Sequence, residues 1–81
     1  MVNKELIKVE TADNDLFLFT VDLLNRIEKK RPEHVKVVRI DNNHRTIFFI
    51  SSPDVGSNIS CILMEQKQKE GALKVERIPL E

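Results

Sequence analysis

Ser57-Asn58-Ile59-Ser60-Cys61-Ile62-Leu63-Met64-Glu65-Gln66-Lys67-Gln68-Lys69-Glu70-Gly71 admits two readings, and the fold turns on the choice between them. Taken as a strand, Ile59 to Glu65 extends the segments before it into a β-meander. Taken as a helix, the stretch is capped by Ser57 or Asn58, runs through Glu70 and has Gly71 as the residue beyond its C-cap. Ile59, Ile62 and Leu63 have helical spacing, and residues 65–70 are good helix formers, so the helix is favoured. Leu73-Lys74-Val75-Glu76-Arg77-Ile78 then follows as a strand.

On the N-terminal side of this stretch lie two β-rich runs, Val35–Ile40 and Thr46–Ile50. The five residues between them, Asp41-Asn42-Asn43-His44-Arg45, tolerate turn geometry, which predicts a hairpin. Farther back, Asp13 offers an N-cap for a helix from about Asn14 to Arg31, and Pro32 ends it. Leu16, Phe17, Phe19, Val21, Leu23, Leu24 and Ile27 form one apolar stripe on that helix, wider than a single sheet face needs. Glu5–Glu10 reads as a first strand. The order is β-α-β-β-α-β, so the expected fold is α+β and ferredoxin-like: a four-stranded antiparallel sheet with two helices on one face.

Composition supports one small globular domain. Leu, Ile, Val and Phe make up 28 of 81 residues, well above the roughly 20% below which disorder is the default. Residues 1–79 are read as a single domain, and Leu80-Glu81 resembles the pair left by a cloning site ahead of a purification tag. Thirteen basic residues balance thirteen acidic ones, which gives no electrostatic reason to bind nucleic acid or an acidic membrane. A single cysteine makes neither an internal disulfide nor a cysteine-based zinc site. With no long apolar run and no leader pattern, a cytoplasmic location is expected.

Alternation in the hairpin carries a functional implication. Val35 and Val37 point to one face of the sheet and Val38 and Ile40 to the other. Ile47 and Phe49 likewise oppose Phe48 and Ile50. Helices cover only one face, so apolar side chains on the other await a partner. Val35, Val37, Val38, Ile40, Phe48 and Ile50 are therefore the candidate interface, and the second strand is expected at a sheet edge. A homodimer or a partner enzyme follows.

Candidate chemistry is sparse, and no cofactor or metal is called for. His44 lies in a hairpin turn without metal-ligand spacing, and His34 has no nucleophile near it in sequence. Cys61, among Ile59, Ile62 and Leu63, reads as a buried thiol. Gly56 and Gly71, the only glycines, cannot make a phosphate loop. Arg45-Thr46-Ile47-Phe48-Phe49 has some likeness to the aromatic strand of RNA-recognition modules, the alternative reading, but lacks their glycines. No catalytic set emerges.

Two stretches resemble ACT domains, small ligand-sensing modules with the ferredoxin-like fold. Thr11 to Asn25 resembles that family's first strand-to-helix junction, and Gly71-Ala-Leu-Lys-Val-Glu-Arg-Ile78 its final passage into a strand. Ser51-Ser52-Pro53 before the second helix is similar to the layout of small regulatory subunits of acetolactate synthase. The resemblance implies a dimeric regulatory domain with an amino-acid effector at Asp13, Asn14, Asp15 and Leu16, where those domains usually carry a glycine and this chain has Asp15. Unpaired N–H groups at a helix start can receive a carboxylate. Asp13 and Asp15 would repel one, and helix capping explains both without a ligand.

Overall fold

A computed structural model describes residues 4–66 and 73–80. The element order is β1 (Lys4–Thr11), α1 (Asn14–Lys30), β2 (Val35–Asp41), β3 (Thr46–Ser51), α2 (Pro53–Gln66) and β4 (Leu73–Leu80). The strands form one antiparallel sheet in the order β2-β3-β1-β4, the ferredoxin-like arrangement the sequence predicts. Leu80 pairs with Lys4 and so continues β4.

Local chemistry fixes α1 at both ends. Asp13 stands at the N-cap and accepts from Asp15 N at 2.9 Å and Leu16 N at 3.3 Å. Caps of this kind contribute about 1 kcal/mol. At the far end, Arg31 N donates to Ile27 O at 2.7 Å before Pro32 stops the ladder.

The second helix is a helix, but it starts earlier than Ser57 or Asn58. Pro53 opens it at a position where its missing N–H costs nothing, and Gly56 N donates to Ser52 O at 2.9 Å. The expected end at Glu70 and the role of Gly71 fall outside the described residues.

Ile7, Val9, Leu16, Phe17, Leu24, Val35, Ile47, Phe49, Ile59 and Leu63 form the core between the sheet and both helices. Thr20 is also fully buried, its hydroxyl donating to Leu16 O at 2.7 Å. That bond lets a polar residue sit where apolar periodicity alone would not place it.

Two expectations are corrected. Cys61 is exposed, because α2 buries Gly56, Ile59 and Leu63, and two residues beyond Ile59 the helix has turned away from the sheet. Ile40 does not share a face with Val38. The β2–β3 register shifts between Val37 and Arg39, placing Val38 in a bulge and returning Ile40 to the helix side, opposite buried Ile47.

Candidate functional site

The side of the sheet away from the helices is built by alternate residues of all four strands. Register places Ile78, Leu6 and Ile50 side by side across β4, β1 and β3, with Lys36 of β2 opposite Ile50. Phe48 and Leu80 adjoin this row, and Val38 projects from the bulge. Val38, Ile78 and Leu80 are 53%, 48% and 37% exposed. Leu6, Phe48 and Ile50 are half-buried by their neighbours.

Farther along the same face the chemistry changes. Lys8 lies opposite Glu76 and Glu10 opposite Lys74, pairings of opposite sign that stabilise adjacent strands. The face thus joins an apolar row to a part where charges of opposite sign are paired.

Of the candidate interface residues, Val38, Phe48 and Ile50 belong to this open face. Val35 is buried in the core, and Val37 and Ile40 pack against it. A one-residue bulge in a single sequence leaves no periodic signal ahead of it, so alternation misplaced Ile40. β2 does lie at the sheet edge, but its edge is partly closed: the Glu28 carboxylate of α1 accepts from Val37 N at 2.7 Å.

Two small cavities lie at opposite ends of the sheet. One, of about 110 Å³, is lined by Asp13, Asp15, Leu16, Phe19 and Gln66, where α1 begins and the described part of α2 ends. It gathers three of the four candidate effector residues, and Asn14 is not among its walls. The Asp13 carboxylate is engaged there in capping. The other cavity, of about 260 Å³, lies at the α1–β2 corner against Lys4, Val35, Lys36 and Ile50.

The remaining titratable candidates are dispersed. His44 Nδ1 lies 2.9 Å from Asp41 Oδ2, and Asp41 Oδ1 accepts from the N–H groups of Asn43 and His44. The His44 side-chain hydrogen bond, aided by these N–H groups, holds the Asp41 carboxyl below its ordinary range. Turn formation accounts for this cluster, with Arg45 at φ 48° completing the reversal. His34 sits at the other end of β2, and Cys61 is on α2. Among the described residues, no three His, Cys, Asp or Glu side chains converge as a metal site, and no helix is long and apolar enough to cross a membrane.

Sequence reading missed Arg77. From β4 its Nε donates to Glu5 of β1 at 3.0 Å, its Nη1 to Ser57 Oγ at 3.0 Å and its Nη2 to Pro53 O at 3.1 Å. It ties two strands to the first turn of α2. Only the register of β4 against β1 brings these partners together, so nothing local in the sequence marks it. Comparison with protein-family models, with curated proteins and with solved structures finds no match to this chain.

Proposed function

We propose that this chain is a non-catalytic regulatory module of ACT-like type that pairs with a second copy of itself through the open face of its sheet. The row Ile78–Leu6–Ile50, flanked by Phe48, Leu80 and Val38, carries the reading. Contiguous apolar surface of this kind favours association, because covering it removes apolar area from water. The charged half of the face tolerates a copy of itself, since it holds both signs in opposed pairs. Thirteen basic residues against thirteen acidic ones in the whole chain weigh against RNA, which favours a surplus of positive charge.

Sedimentation at micromolar concentration tests this. The wild-type chain is expected to run as a dimer. Ile78→Glu, an exposed edge-strand change, is expected to weaken the dimer about 100-fold, roughly 2.8 kcal/mol, by burying an unpaired charge. Its thermal midpoint, read on the monomer, should stay close to wild type. A folded wild-type chain that is strictly monomeric overturns the reading.

An effector arm goes with it. With the Asp13 carboxylate engaged in capping, the carboxylate of Asp15 suits the ammonium group of a small amino acid in the cavity it lines. Thermal-shift measurement across the amino acids checks this arm: a ligand at about 100 times its Kd stabilises the native state by about 2.7 kcal/mol. A flat profile removes the effector and leaves self-association standing.

A further inference from the structure

We propose that the cavity at the α1–β2 corner is a binding site for a small monocarboxylate with a compact apolar body. It lies at the opposite end of the sheet from the Asp13–Asp15 cavity. Its walls Lys36 and Ile50 also belong to the open face, so the site is tested on the weakly associating Ile78→Glu chain, where a second copy does not cover it. The α1–β2 loop rises beside the start of β2 and makes one wall with Pro32, while Ile50 supplies apolar surface, with the buried Val35 behind it. Two lysines reach the cavity from different strands, Lys4 from β1 and Lys36 from β2.

Lys4 is fixed in place there. Its Nζ donates to Glu33 O at 2.9 Å, anchoring the ammonium to the loop. An ammonium carries three donors, so two remain for a ligand. Glu33 also lines the cavity, and its carboxylate lies 3.8 Å from His34 Nε2 on the same loop. Two lysines and one glutamate line the cavity, which leaves it a basic surplus.

Size and lining narrow the ligand class. A volume of about 260 Å³ falls just below the roughly 300–1,000 Å³ of drug-sized pockets. The apolar walls cannot replace the hydration of a multiply charged anion such as phosphate. They suit a branched or ring-shaped hydrocarbon body, while the two lysines suit a single carboxylate at its end. The two end cavities thus differ in sign: carboxylates guard one, ammonium groups the other.

Isovalerate titrated into the ¹⁵N-labelled Ile78→Glu full chain tests the site by amide chemical shifts. Saturable shifts are expected at residues 33–36 and at Ile50, with a millimolar Kd. Lys36→Gln, on an edge strand, is expected to raise that Kd about 10-fold while leaving the thermal midpoint near wild type, and Lys4→Gln provides an independent second variant. Isovaleramide, neutral and of the same shape, should not saturate, and inorganic phosphate should bind at least about 10-fold more weakly. Linear shifts up to tens of millimolar isovalerate overturn the proposal, as does equal affinity in both lysine variants. Equal binding of phosphate or of the amide, or shifts centred on residues 13–19, overturns it too. Sedimentation of the wild-type chain reports self-association separately, so failure of either reading is recognised by itself.

Discussion

Phe49→Ala is expected to cost about 3–5 kcal/mol of stability, whereas Phe48→Ala costs less than about 1 kcal/mol. Phe49 is 0% exposed and sits on β3 among the core residues supplied by the sheet and both helices. Truncating it removes a ring from a packed interior and leaves a cavity that rigid neighbours fill only partly. Domains of this length have roughly 4–12 kcal/mol of total stability at about 0.05–0.15 kcal/mol per residue, so the loss is a large fraction of the whole. Phe48, one residue away, faces the open side of the sheet and leaves no such void in the monomer. Urea denaturation monitored by circular dichroism, at a concentration too low for the proposed pairing, separates the two. Equal losses at both positions would show that the faces of β3 have been assigned wrongly.

Gly56→Leu is expected to cost about 3 kcal/mol through overpacking. A Cβ at this position would stand 2.6 Å from Ile7 Cδ1 and 3.0 Å from Ser51 Oγ. Ile7 and Ser51 are both fully buried, so neither has room to retreat. Gly56→Ala introduces the same close Cβ but gains about 1 kcal/mol of helix propensity, so its net loss should be nearer 1 kcal/mol. Thermal melts of the two variants check the order. If leucine is tolerated as well as alanine, α2 does not approach the sheet as closely as the contact with Ile7 requires.

These two positions also show what the sequence makes legible. Phe49 could be placed opposite Phe48 from strand alternation alone, and the βαββαβ order followed from turn residues, an N-cap at Asp13 and helical spacing at Ile59, Ile62 and Leu63. Gly56 could not be read as a contact point, because only the packing of α2 across β1 makes its missing side chain a requirement. The early start of α2 was masked by Gly56 itself, a residue that looks like a loop inside a helix that begins at Pro53. Arg77 and the corner cavity share a further reason for being hidden. Their parts lie up to 72 residues apart, as in the Arg77–Glu5 pair, and no local pattern records such a meeting. Three of the six candidate interface residues, Val38, Phe48 and Ile50, lie on the open face, and three do not, for a similar reason. Alternation holds through β3, while in β2 it holds only up to the bulge.

That bulge bears on how far assembly can go. A straight outer strand offers its donors and acceptors to any extended chain, and each added chain offers a new outer strand in turn. In β2 the ladder is interrupted at Val38, and Glu28 already occupies the Val37 donor. At the opposite border of the sheet, Pro79 contributes no N–H to β4. Growth by strand addition is therefore discouraged along both margins. In the proposed pairing the open face is used up once two copies are joined. Blunted margins together with that pairing would favour a closed pair over an open filament, so raising the concentration should fill pairs rather than lengthen fibres.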